Sequence, residues 1–185
     1  MGKRDLSNTS RTALGGIVAA LSVVTMFLTA VIPTLTYALP AVAGVFLVLM
    51  VVDVGKKWAL GVYAAVSILS LLILPDKEAA VMYVFFFGHY PIVKAALEGT
   101  RLRGIVLWLV KLLVFNACVV LAYLVILYVF QLPFDELEEY GKWAAVGLLG
   151  LGNVVFVIYD VAVSRLVTLY MLKLRRHVRK LLRFK

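Results

Sequence analysis

One cysteine and two histidines in 185 residues leave no material for a disulfide framework or a Cys/His metal cluster. Charge is sparse too: Asp, Glu, Lys and Arg make up 16% of the chain, against about a quarter in ordinary soluble domains. Catalytic signatures are missing as well. No HExxH pair, no G-x-x-x-x-G-K-[ST] phosphate loop and no serine with a plausible His/Asp set occurs. Gly147, Gly150 and Gly152 follow no strand that would make them a dinucleotide loop. The chain is therefore expected to be no enzyme and to use no metal or cofactor, and any ATP-driven work would fall to another chain.

What is abundant is apolar surface. Hydrophobic residues make up 64% of the chain and the mean hydropathy is +1.02. A bilayer crossing takes about 20 apolar residues, so this length holds about six crossings and little else. Uncharged stretches cover 13–52, 58–75, 79–93, 104–131 and 143–159, the fourth interrupted only by Lys111. As one helix the first would be about twice the hydrocarbon thickness, and Pro33 and Pro40 bracket Thr34, Leu35 and Thr36 in its middle. Two helices joined by a tight turn are expected, with Ile32 and Leu39 as boundaries, because a residue before proline is biased away from helix.

The fold class expected is an all-α polytopic membrane protein, a bundle of six transmembrane helices at 13–32, 38–53, 58–74, 79–97, 104–130 and 143–170. An N-terminal tail, 1–12, precedes them. A basic amphipathic tail, 171–185, follows, in which Leu172, Leu174, Val178, Leu181, Leu182 and Phe184 interleave with Lys and Arg. Lys3, Arg4 and Arg11 ahead of the first apolar run resemble the start of a signal peptide. The run far exceeds the about 7 to 15 apolar residues of such a segment, so it is read as retained.

Nineteen Lys and Arg against ten Asp and Glu give +9. In a membrane chain basic residues mark the cytoplasmic side and hold anionic lipid, so nucleic acid is not an expected partner. With the N-terminus inside, that side collects Lys3, Arg4, Arg11, Lys56, Lys57, Lys94, Arg101 and Arg103. The C-terminus adds Lys173, Arg175, Arg176, Arg179, Lys180, Arg183 and Lys185, and the outside keeps only Lys77 and Lys142. Both termini are expected in the cytoplasm of a cell-membrane protein whose inner leaflet is anionic. Asp135, Glu136, Glu138 and Glu139 would form an acidic outer loop.

Ionisable groups within a membrane are costly and are functional candidates by default. At 1.5 Å per residue, Lys111 lies about 10 Å and Asp160 about 15 Å inside the same face. An intramembrane Lys111 to Asp160 pair is expected, its plainer role being to dock two helices. Arg165 is nearer the interface and snorkels. His89, Asn116 and Asn153 lie near the midplane and with Tyr90 are the candidate ligand-binding residues; Tyr63 or Tyr83 could add a phenolic hydroxyl. The plainer reading of these amides and the imidazole is hydrogen bonding between helices, worth about 0.6 to 2 kcal/mol each. In Phe85, Phe86, Phe87, Gly88, His89, Tyr90, Pro91 the glycine and proline are expected to kink helix four and free carbonyls, which makes it the expected cavity lining. Asp76, Lys77 and Glu78 read as a hydrated turn that could also cap that helix, and Lys94 with Glu98 as a local i, i+4 ion pair.

Helix one carries Ala13, Gly15, Gly16, Ala19 and Ala20, with Gly15/Ala19 and Gly16/Ala20 four apart, a spacing that lets another helix approach closely. Packing inside the bundle is the ordinary use of such a face, and docking of a partner subunit the sharper one. Six short-looped helices in 20.5 kDa, this small-residue first helix and the lack of an ATPase motif together resemble the substrate-binding S component of energy-coupling factor (ECF) transporters. The resemblance implies capture of a vitamin-like micronutrient from outside, then toppling of the subunit within a complex of a transmembrane scaffold subunit and cytoplasmic ATPases. It also implies that Gly15, Gly16, Ala19 and Ala20 meet the scaffold, and that the small-molecule substrate sits in the outer half, away from Lys111 and Asp160. Two other readings stand beside it. One is a non-transporting scaffold or assembly protein of the cell envelope; the other is a self-contained ion-coupled carrier, disfavoured by the absence of an inverted repeat. An outward-open, ligand-sized pocket near helices four to six would favour transport, and a fully packed bundle would favour the scaffold.

Overall fold

A computed structural model describes residues 7–101, 104–130 and 135–175. Six helices carry the architecture: α1 Asn8–Phe27, α2 Ala38–Asp53, α3 Lys56–Ile73, α4 Lys77–Leu97, α5 Ile105–Tyr128 and α6 Asp135–Leu169. No strand occurs among the described residues. Five of the helices are long and apolar enough to cross a membrane; α2, with 16 residues, is the shorter exception.

Several boundaries differ from those expected, for local reasons. Helix α1 begins at Asn8 rather than 13, because Ser7 caps it by accepting a hydrogen bond from Ser10 N at 3.1 Å. Ile32 is the non-helical boundary expected, at φ −126°, ψ 82°. Leu39 is not a boundary: Pro40 falls in the first turn of α2, where its missing N–H costs nothing. Helix α6 starts at Asp135, so the acidic stretch that reads as an outer loop opens a helix instead. At its other end α6 widens into a π-turn, Tyr170–Leu174, and so runs past 170. The remainder of the basic tail, 176–185, lies outside the described residues.

Helices α2 and α4 form the interior. Half of the apolar stretch of α4 is buried, 50%, against 33% or less in the other four. Ala43, Leu47 and Met50 of α2 are fully buried against Leu14 and Val18 of α1, Val62 and Val66 of α3, and Tyr83, Phe86 and Tyr90 of α4. The outward faces stay apolar: Val24, Leu72, Ile105, Leu113 and Ile158 are all exposed. A surface of that kind suits hydrocarbon rather than water.

The break expected in α4 is present, as a π-turn at Tyr83–Phe87 followed by a turn at Gly88 and His89. Gly88 N donates to Tyr83 O at 2.8 Å across the wide turn. The carbonyl of Val84 is met by the Tyr63 hydroxyl, which donates to it at 2.7 Å, and by His89 Nδ1 at 3.3 Å. The disturbed backbone is thus satisfied by side chains, as a non-aqueous setting demands. Two glycines are required by contact. A Cβ on Gly88 would stand 2.7 Å from the Tyr83 ring, and one on Gly44 would stand 2.2 Å from Phe87 O, where α2 crosses the backbone of α4.

Candidate functional site

Three polar or open features stand out from this apolar frame. The first is a charge cluster where α4, α5 and α6 meet. Lys111 Nζ lies 3.1 Å from both carboxylate oxygens of Asp160, so the two residues expected to pair are adjacent. They are not alone. Lys94 Nζ reaches Asp160 Oδ1 at 2.5 Å, the Tyr90 hydroxyl donates to the same oxygen at 2.5 Å, and Glu98 Oε1 accepts from both Lys94 and Lys111 at 2.7 Å. Lys94, Lys111 and Asp160 are buried, whereas the Glu98 side chain is 43% exposed. Lys111 also stands over the Trp108 ring, 5.1 Å from its centre. Partial burial pushes the Glu98 carboxyl up, but the hydrogen bonds from Lys111 and Lys94 outweigh this and hold it below the ordinary carboxylate value.

Lys94 and Glu98 form the local i, i+4 pair expected, and Lys94 is also drawn inward to the carboxylate of α6. The signal for this is the spacing of Tyr90, Lys94 and Glu98, which at i, i+4 and i+8 share one face of α4. Beneath the cluster an aromatic stack fills the junction. The Phe115 and Phe156 rings are stacked at 4.7 Å, with Phe86 edge-on to both and Tyr90 edge-on to Phe156.

The second feature is an amide pair. Asn116 and Asn153 exchange hydrogen bonds of 2.8 and 3.1 Å between α5 and α6, and each also donates to the carbonyl four residues before it. The two amides thus bond helix to helix, the plainer role expected of them, and His89 does not join them. Its Nδ1 faces Val84 O, and its Nε2 lies 3.7 Å from Cys118 Sγ. Tyr90 is engaged by Asp160. The four candidate ligand residues are thus divided among three places. The reason is rotational: depth along a helix can be read from residue counts, whereas the face each residue takes past a π-turn cannot.

The third feature is a groove of about 440 Å³ between α1 and α3. Gly15, Gly16 and Ala19 line it from α1, and Gly61, Val62 and Ala65 from α3, with Arg11, Lys57 and Trp58 also in its wall. The helix-one residues divide in role. Gly15 is buried, with Val62 3.1 Å from where its Cβ would be, so it serves packing within the bundle. Gly16 and Gly61 have nothing within 4 Å of that position, and Gly16 and Ala20 are exposed. Gly61 and Ala65, spaced four apart like the pairs on α1, escaped the sequence reading although their pattern is the same.

At the opposite end of the bundle the two connecting turns are tied together. Asp76 caps α4 by accepting from Ala79 N at 2.9 Å and also accepts from the Thr36 hydroxyl at 2.9 Å, while Tyr37 donates to Glu78. Asp53, at the end of α2, is bound by Tyr170 and by Arg175 Nε at 3.0 Å, an anchor that nothing in the sequence distinguished. Among the described residues no group of three or more His, Cys, Asp or Glu is placed to hold a metal ion. No protein-family model, curated protein or solved structure matches the chain.

Proposed function

We propose that this chain is a membrane-embedded subunit of a larger assembly, and specifically the substrate-capture subunit of an ECF-type micronutrient uptake transporter, energised by separate ATPases. The observation that carries the reading is the open groove between α1 and α3, floored by small residues where a second helix backbone can approach closely. In this reading both termini are cytoplasmic, the groove receives a helix of a transmembrane scaffold subunit, and the chain has no catalytic role. Its small-molecule substrate would enter from the opposite end, beside the tied turns at Thr36 and Asp76.

Gly16 and Gly61 provide a selective test, because a Cβ at either meets nothing within 4 Å and leucine would fill the groove while replacing a poor helix former with a good one. Gly16→Leu with Gly61→Leu is expected to leave the unfolding temperature of the purified chain unchanged or slightly raised. The same variant should lose co-purification of a larger membrane subunit and ATPases from the native membrane. Mass spectrometry of the native complex should also find a retained metabolite. Retention of the same partners by the double variant would remove the groove from the assembly.

The aromatic packing of Phe86, Phe115, Phe156 and Tyr90 favours a second reading, since it fills the junction of α4, α5 and α6, and a packed bundle favours a scaffold over a ligand carrier. That reading is a non-transporting scaffold of the cell envelope that uses the same groove. Partners from envelope assembly, without ATPases or metabolite, would establish it in place of transport.

A further inference from the structure

The charges buried where α4, α5 and α6 meet do not balance. Lys94, Lys111 and Asp160 are 3%, 3% and 2% exposed, which leaves one net positive charge inside the bundle. An unbalanced charge in a low-dielectric interior is costly and calls for a counter-anion. Glu98 supplies it through a single oxygen, Oε1, that accepts from both ammonium groups.

Glu98 is the one member of the four with access to the surface. It is also the residue at the C-terminal cap of α4, the end of a helix where unsatisfied carbonyls disfavour a carboxylate. What holds it is therefore the lysine pair and not its own helix. The chain continues through Gly99 and Thr100, both exposed. Lys56 Nζ stands 4.0 Å from where a Cβ on Gly99 would be, which brings a third ammonium beside the residue that follows Glu98.

We infer that Lys94 and Lys111 form an anion site open to this end of the bundle, and that Glu98 is its built-in, exchangeable occupant. The ligand is an oxyanion, a carboxylate or phosphate, whose oxygen takes the position of Glu98 Oε1 and accepts from both lysines. Asp160, steadied by the Tyr90 hydroxyl, holds the two ammonium groups from the buried side. Displacement frees Glu98 to water and leaves the buried charge balanced, so the exchange adds no uncompensated ion. The phosphate of an anionic lipid headgroup and a free anion in solution present the same chemistry.

The test uses the purified full-length chain in phosphatidylcholine nanodiscs, without partner subunits, so its outcome is independent of the assembly proposed above. Glu98→Ala is expected to unfold at a lower temperature than the native chain in chloride. Acetate or phosphate at equal ionic strength should restore most of the loss in a saturable way. Glu98→Ala combined with Lys111→Met should not respond. Glu98→Gln, which keeps the side-chain volume, is read in the same way should the alanine variant not fold. Restoration by dissolved phosphate assigns the site to a soluble anion, and restoration only by phosphatidylglycerol in the disc assigns it to a lipid headgroup. In the native chain the effective anion should raise amide hydrogen exchange at residues 97–101 as Glu98 leaves. Equal recovery in chloride, recovery in the double variant, or unchanged exchange in the native chain would each overturn the proposal.

Discussion

An Asp160→Ala variant is expected to lose about 3 to 5 kcal/mol of stability, the range found when one partner of a buried ion pair is removed. The loss falls at the top of what single substitutions do because two buried ammonium groups, Lys94 and Lys111, would face no carboxylate on α6. Lys111→Met should cost clearly less. It leaves Lys94 at 2.5 Å from Asp160, and Glu98, already at the surface, keeps one of its two partners. Combining Asp160→Ala with Lys111→Met leaves Lys94 facing Glu98 with no net charge, so part of the first loss should be regained. Unfolding in mixed micelles of rising dodecyl sulfate content, followed by circular dichroism, measures all three. An Asp160→Ala variant no weaker than Lys111→Met would show that the interior tolerates two lysines against the single carboxylate of Glu98.

Gly44→Ala should be the most damaging single methyl added to the bundle. The new Cβ would stand 2.2 Å from Phe87 O and 2.8 Å from its carbonyl carbon, atoms that cannot rotate away. Helices α2 and α4 would have to part by on the order of 1 Å to reach ordinary contact distances. Overpacking of a close-packed interior costs about 1 to 3 kcal/mol, and here it acts on the two innermost helices. The better helix propensity of alanine returns only about 1 kcal/mol. Gly16→Ala gains the same propensity with nothing within 4 Å, so it serves as the control and should be neutral or stabilising. Equal unfolding midpoints for the two variants, in the same micelle titration, would mean that α2 and α4 do not approach this closely.

Six helices and their approximate bounds were legible because a bilayer imposes length: an apolar run of 40 residues has to fold back, and Pro33 marks where. The Lys111 and Asp160 positions were legible because both could be counted from the same end. What could not be read was rotation. Tyr90, Lys94 and Glu98 share a face in any helix, but only the packed structure turns that face toward α6. The π-turn just before them changes the phase of everything beyond it, so His89 parts from Asn116 and Asn153. Gly44 and Gly16 look alike in the sequence; the first differs only because the Phe87 carbonyl lies against it.

The wide turn at Tyr83–Phe87 can also be seen as one additional residue held in an otherwise periodic helix. Losing one of Phe85, Phe86 or Phe87 would return α4 to ordinary periodicity and leave its lower half on nearly the same face, since the wide turn already takes up the about 100° that one residue adds. A residue lost from the regular turn that follows, between Tyr90 and Lys94, would instead swing Lys94 away from Asp160, although no charged residue had been touched. Length is therefore under tighter constraint there than within the run of phenylalanines. A one-codon deletion in that turn is, in physical terms, a mutation of the ion cluster.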